Sequence, residues 1–104
     1  MSTLRSKLLL GSALFATLLL ASACETAPVQ EMSDARQAIA VAREAGAEAH
    51  AAAELLAAEQ YLQSAQDKLN AEKYAEARRD ALQAKSKAQA ARKLSEINQP
   101  DGSN

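Results

Sequence analysis

The sequence predicts an all-α protein, a short antiparallel three-helix bundle that follows a cleaved N-terminal signal. Three observations lead to this prediction. Ala, Glu, Gln, Lys and Arg dominate the chain after the signal, and this composition is typical of helices. Small and apolar residues recur at three- and four-residue spacing in three separate segments. The few β-branched aliphatic residues are scattered, and none begins the alternating pattern of a strand.

Residues 1–23 have the three-part layout of a secretory signal peptide. Arg5 and Lys7 form a positive head, and a mainly apolar run follows over residues 8–20. The run ends in the small side chains that a signal peptidase requires, namely Ala21, Ser22 and Ala23. A membrane-spanning helix needs about 20 consecutive apolar residues, and this run is shorter. The sequence therefore favours a cleaved signal over a transmembrane helix.

The small residues are followed directly by Cys24, the only cysteine of the chain. Together, residues 20–24 resemble the lipobox of bacterial lipoproteins, although Ala21 occupies the position that usually holds Leu. The resemblance implies that a diacylglyceryl group is attached to the Cys24 thiol before cleavage makes this residue the N-terminus. An unpaired thiol in an ordinary secreted protein is the alternative. Because two or more acyl chains bind a membrane firmly, we expect the mature chain to be anchored.

The mature chain is predicted to begin with a short lipidated tether over residues 24–31, which contains Pro28. A helical domain should follow over residues 32–97. One face of its first helix is expected to carry Met32, Ala35, Ile39 and Ala42. Gly46 could end this helix. Because residues 46–54 contain no Pro, one bent helix could replace the first two helices, but we favour a turn.

Two further helices are predicted from the same periodicity. The second should carry on its inner face Leu55, Ala58, Leu62, Ala65 and Leu69. It should end near Asn70, which tolerates the left-handed conformation of many helix ends. The third has an inner stripe of Tyr74, Ala77, Ala81, Ala84, Ala88 and Ala91. We expect this stripe to be widened by Leu82, Leu94 and Ile97. Residues 98–104 are predicted to form a disordered tail.

Two resemblances concern the helical domain. Residues 61–84 resemble one tetratricopeptide hairpin, with bulky, small, aromatic, small and small residues at Tyr61, Ala65, Tyr74, Ala77 and Ala84. Since an array needs at least three repeats, this resemblance concerns packing alone. From the lipobox through "EMSDARQAIAVAREAGAE" to "EKYAEARRDALQAK", the chain resembles a family of alanine-rich envelope lipoproteins, the domain of unknown function numbered forty-three ninety-eight. That resemblance implies a fold and an envelope location, and no activity.

The residue types argue against an enzyme. No Gly-rich phosphate loop and no Ser/His/Asp set is visible, so we predict no catalytic, cofactor-binding or metal-binding residue. His50 lies beside Glu48 and Glu54, but a zinc site requires three or four suitable ligands. We expect His50 to be an exposed loop residue rather than a metal ligand. Tyr61 and Tyr74 are expected to fill space in the hairpin, with ligand stacking as the alternative.

Charge is distributed unevenly along the mature chain. Acidic residues outnumber basic ones up to Glu76, and the balance reverses from Ala77 onward. A basic last helix can pair with acidic neighbours and with its own C-terminal dipole. The alternative is a partner face for an anionic envelope component, with the candidate residues Arg79, Lys85, Lys87 and Lys93. Export excludes nucleic acid as the partner.

These observations predict a non-enzymatic lipoprotein with a structural or adaptor role in a Gram-negative cell envelope. It would be held at the membrane on the periplasmic side, and the outer membrane is favoured because Glu25 rather than Asp follows Cys24. We expect an envelope protein or a polyanion as partner. An oligomeric alanine-zipper coiled coil that spaces the cell wall is the alternative. Because Gly46 and residues 70–74 interrupt the heptad register, a monomeric bundle is favoured.

Overall fold

The computed structural model describes residues 26–100, and α-helices with short connections make up this segment. The helices are α1 (Val29–Glu44), α2 (Ala47–His50), α3 (Ala52–Asn70) and α4 (Tyr74–Asn98). No strand occurs within this segment, and α2 is a single turn. The predicted all-α class is therefore confirmed, and the three long helices form the bundle.

The helix α4 lies at the centre of the bundle and packs against both α1 and α3. Lys68 of α3 lies 2.6 Å from Asp80 of α4, and Glu54 lies 3.6 Å from Lys87. Contacts between an early residue of one helix and a later residue of the other show that α3 and α4 are antiparallel. The α1–α3 interface is much smaller, so the bundle depends mainly on the two interfaces of α4.

The first helix runs parallel to α4 and antiparallel to α3. Glu31 lies 3.2 Å from Arg78, and the later residue Asp34 lies 3.9 Å from the later residue Lys85. The directions are therefore up, down and up along α1, α3 and α4. This is the topology expected when short connections join neighbouring helices.

Small side chains form most of the core. All four predicted core residues of α1 are buried, and so are the alanines of the predicted α4 stripe: Ala77, Ala81, Ala84, Ala88 and Ala91. In α3 the buried residues are Leu55, Ala58 and Ala65, whereas Leu62 and Leu69 are half-buried. Because a methyl group is short, the backbones of neighbouring helices can approach closely, and each helix gains dispersion contacts along its length.

The three large residues that were expected to widen the α4 stripe do not join the core. Leu82, Leu94 and Ile97 are 49%, 38% and 75% exposed. Each successive residue of a helix turns by about 100°, which places these three well away from the alanine stripe. The stripe continues instead at Ser95, which is fully buried and donates a 2.7 Å hydrogen bond from its Oγ to the Ala91 carbonyl.

The expected turn between the first two helices is present. Gly46 adopts φ 90°, in the left-handed region, two residues after α1 ends at Glu44. Ala51 has φ −152° and separates the short α2 from α3. The connection therefore contains two breaks rather than one bend.

The α3–α4 turn places its left-handed residue later than predicted. Asn70 is helical, and Glu72 adopts φ 60°. The Lys73 amide donates to the Lys68 carbonyl over 2.8 Å, and the Glu72 amide donates to the Leu69 carbonyl over 3.0 Å. This pair of bonds is a Schellman motif, which requires the left-handed residue two positions beyond the last helical one.

Both ends of the described segment are fastened to the bundle. Val29 to Glu31, assigned above to the tether, form the first turn of α1, and Pro28 is fully buried. At the other end, the Gln99 Nε2 donates to the Ala45 carbonyl over 2.7 Å. The predicted signal peptide, Cys24 and residues 101–104 of the tail lie outside the described residues.

The alanine core predicts a strong dependence on side-chain size. Ala88→Leu should lower the free energy of unfolding by about 1–3 kcal/mol, because the longer side chain separates α4 from its neighbours. Ala40→Leu is the matched control, since Ala40 is exposed on α1 and Leu is nearly as good a helix former as Ala. Urea unfolding followed by circular dichroism measures both changes. Equal effects would contradict the packing described.

The two left-handed residues predict stability changes of opposite sign. Gly46→Ala should destabilise the fold by about 1–2 kcal/mol, because a side chain is strained at positive φ and its Cβ would lie 3.3 Å from the His50 Cδ2. Glu72→Gly should instead stabilise it by up to about 1 kcal/mol, because glycine relieves the same strain. Thermal unfolding of both variants measures these shifts. Stabilisation by Gly46→Ala would refute the assigned turn.

Candidate functional site

Two of the four basic residues of the candidate partner face are engaged in ion pairs. The Lys85 Nζ lies 3.9 Å from Asp34 of α1, and the Lys87 Nζ lies 3.6 Å from Glu54 of α3. These two lysines lie on opposite flanks of α4 and are half-buried. They therefore contribute to helix pairing, as the structural interpretation of the basic helix expects.

Arg79 and Lys93 occupy a different position. Both side chains are exposed on α4, and helical geometry places them on the side opposite the alanine stripe. Within residues 26–100 neither forms an ion pair or a side-chain hydrogen bond. The four residues thus do not form one continuous face. Among them, Arg79 and Lys93 are the two that remain available to a partner.

Arg78 has a role that the sequence did not indicate. Its Nε donates to Glu31 of α1 over 3.2 Å, and its Nη2 donates to the Thr26 carbonyl over 2.9 Å. One guanidinium group therefore holds both α1 and the segment that precedes it against α4. The only sequence signal was its position next to the alanine stripe, which places it at the flank of α4.

Asp80 of α4 is held at the α3–α4 interface by two hydrogen bonds from α3. Its side chain is 14% exposed and accepts hydrogen bonds of 2.6 Å from both the Ser64 hydroxyl and the Lys68 ammonium group. Burial alone would raise the pKa of Asp80. The hydrogen bonds from Lys68 and Ser64, with the positive charges of Lys68 and Arg79, outweigh burial and hold the pKa below its ordinary value. This arrangement of Ser64, Lys68 and Asp80, which we call the Asp80 clamp, holds α3 against α4.

Two open grooves lie along α1. The groove between α1 and α4 has a volume of about 270 Å³, and its lining residues are Asp34, Gln37, Ala38, Val41, Lys85, Gln89 and Arg92. The groove between α1 and α3 has a volume of about 420 Å³, and its lining residues are Arg36, Ile39, Arg43, Glu59, Leu62, Gln63 and Gln66. Neither set includes Ser, Thr, Cys or His. Nucleophilic catalysis by a hydroxyl, thiol or imidazole group therefore has no candidate residue there.

His50, Tyr61 and Tyr74 are the residues considered above for metal or ligand binding. Over the described range, no three His, Cys, Asp or Glu side chains are close enough together to hold a metal ion. His50 is half-buried at the end of α2 rather than in an open loop, and its carbonyl accepts a hydrogen bond from the Asn98 Nδ2 over 3.1 Å. Tyr61 and Tyr74 are half-buried.

Within residues 26–100, no helix combines the length and the apolar character needed to cross a bilayer.

The Asp80 clamp predicts a pH-dependent contribution to stability. Because its pKa is lower in the folded than in the unfolded chain, ionised Asp80 stabilises the fold above about pH 4, and this stabilisation is lost as the pH falls through the folded pKa. Asp80→Asn should cost about 1–3 kcal/mol at pH 7, and the difference from the parent chain should shrink below pH 4. The exposed Asp67 provides the control variant Asp67→Asn. A pH-independent difference, measured by urea unfolding, would contradict the clamp.

Comparison with known proteins places the chain in a family. A family model described as "Domain of unknown function (DUF4398)" matches residues 30–99. The match extends from the first turn of α1 to the residue after α4, and so it covers the whole bundle. No curated protein and no solved structure matches the chain significantly. The chain belongs to the DUF4398 family of domains of unknown function.

Proposed function

We propose that this protein is a non-enzymatic lipoprotein of the Gram-negative cell envelope, in which a lipid on Cys24 anchors a helical adaptor or structural module. The observation that carries the proposal is the order of features in the chain. A signal-like segment, three small residues and the single cysteine stand immediately before one helical bundle. Lipidation accounts for the number, the position and the small neighbours of this cysteine together.

The contacts of Thr26 and Pro28 support a close attachment of the bundle to the membrane. Arg78 holds the Thr26 carbonyl, Pro28 is buried, and α1 begins at the next residue. Cys24 precedes Thr26 by only two residues, and each residue spans at most about 3.6 Å. A lipid on Cys24 would therefore keep the Arg78 end of the bundle near the membrane surface.

An adaptor role fits the surfaces of the bundle better than a catalytic or carrier role. The grooves along α1 are open and shallow, whereas small-molecule sites usually enclose most of their ligand. The core alanines are buried within one chain, which supports a monomeric bundle over an intermolecular alanine zipper. The exposed Arg79 and Lys93 suit an anionic partner, either an envelope protein or a polyanion. The residue Glu25 favours the outer membrane.

Lipidation at Cys24 predicts a clear labelling result. A labelled fatty acid supplied to growing cells should mark the parent protein but not Cys24→Ser, because the hydroxyl cannot form the thioether. The variant should also accumulate as an uncleaved precursor, detected by its larger mass. Ser22→Ala, which keeps a small side chain in the cleavage flank, should be labelled as the parent is. Equal labelling of the parent and Cys24→Ser would refute the anchor.

A further inference from the structure

The helix α4 carries a second stripe of regularly spaced residues on the side opposite its core alanines. Its members, which we call the outer stripe, are Ala75, Arg79, Leu82, Ser86, Ala90, Lys93 and Ile97. They are separated by three or four residues throughout, so they lie along one line of the helix. Such a line is the pattern by which one helix packs against another.

The outer stripe is not covered by any other described part of the chain. Leu82 and Ile97 are 49% and 75% exposed, and Ala75 and Ser86 are also exposed. The helices α1 and α3 occupy the other sides of α4, through residues such as Lys85 and Lys87. Two large apolar side chains therefore face outward from the most central helix of the bundle, with Ser86, Ala90 and Lys93 between them.

The charges of the outer stripe indicate what could cover it. Arg79 and Lys93 are its charged members, and they are 14 positions apart in the sequence, or about 21 Å along the helix. In the segment from 26 to 100 neither has an ion-pair partner, and the neighbouring Asp80 is engaged by Lys68. A covering surface would therefore bury two unpaired cations unless it supplied anions at both positions.

Pairing of the outer stripe with the same stripe of a second copy, aligned at Ser86, does not meet that requirement. The outer stripe is symmetric about Ser86, so an antiparallel pairing of two copies would place Leu82 opposite Ala90 and Arg79 opposite Lys93. A parallel pairing would place each cation opposite its own equivalent. Both arrangements bring like charges together, which is unfavourable at an interface.

A bilayer is also a poorer fit than a helix. Ala75, Ser86 and Ala90 present little apolar area, whereas helices that lie in a membrane surface insert bulky side chains. Small residues instead allow another helix to approach closely, as the alanine stripe does inside this bundle.

We propose that the outer stripe docks an amphipathic helix of another envelope protein, whose apolar seam carries carboxylates that pair with Arg79 and Lys93. The spacing of these cations requires the two carboxylates to lie about 14 residues, or about 21 Å, apart. This inference rests on the proposed adaptor role and specifies the chemistry of its partner. It does not depend on the lipid at Cys24.

Site-specific photocrosslinking of the full chain in intact cells tests the proposal. A photoreactive residue replaces Ser86 in the stripe or, as a control, the exposed Gln60 on α3. The Ser86 position should give a covalent adduct that mass spectrometry maps to an acidic amphipathic helix, and the Gln60 position should not. Adding Arg79→Gln with Lys93→Gln should lower the adduct yield about tenfold. Lys85→Gln with Lys87→Gln removes the same charge from the flanks and should change it less than about twofold.

Leu82→Asp provides a second test, because Leu82 is half exposed and its replacement should leave the fold intact by circular dichroism. It should lower the adduct yield at least as much as the double charge change. Adducts with lipid, with a second copy or with a segment that lacks carboxylates would overturn the proposal, as would equal loss in both double variants. Fatty-acid labelling of the same cells separates the two hypotheses. Normal labelling without the adduct would refute the docking, and an adduct without labelling would refute the anchor.

Discussion

The close approach of α4 to both α1 and α3 is the constraint on which the rest of this structure depends. It requires a line of alanines on α4, since any longer side chain there would separate the helices. The core therefore contains few large side chains, and burial of apolar area alone stabilises it modestly. Hydrogen-bonded ion pairs along the two interfaces of α4 add to this stabilisation. Arg78 binds Glu31 and Thr26, and Asp80 binds Ser64 and Lys68.

Periodicity in the sequence predicts the inner faces of α1 and α4 well, because small and apolar residues recur there at three- and four-residue spacing over several turns. The expectation that Leu82, Leu94 and Ile97 would join the core was wrong because it followed their hydrophobicity alone. The rotation of about 100° per residue places all three away from the alanine stripe of α4. The choice of Glu72 rather than Asn70 as the left-handed residue depends on hydrogen bonding at the helix end, which residue preference alone does not reveal.

The candidate partner face was only partly predictable from the sequence. Charge counting identified α4 as basic, but it could not show that Lys85 and Lys87 would pair with Asp34 and Glu54 of neighbouring helices. Those pairs depend on the register between helices, which is set by the alanine contacts. The same central helix thus has an inner stripe that builds the bundle and an outer stripe with two exposed cations. This division suits the adaptor role proposed above.

We infer that the alanine core is completed within one chain. Sedimentation equilibrium of the unlipidated chain from Glu25 onward, combined with thermal unfolding at several protein concentrations, tests it most directly. We expect a helical monomer whose unfolding midpoint does not change with concentration, because all three long helices of the core belong to the same molecule. A stable dimer or trimer whose midpoint rises with concentration would contradict it, since that dependence shows that association completes the fold.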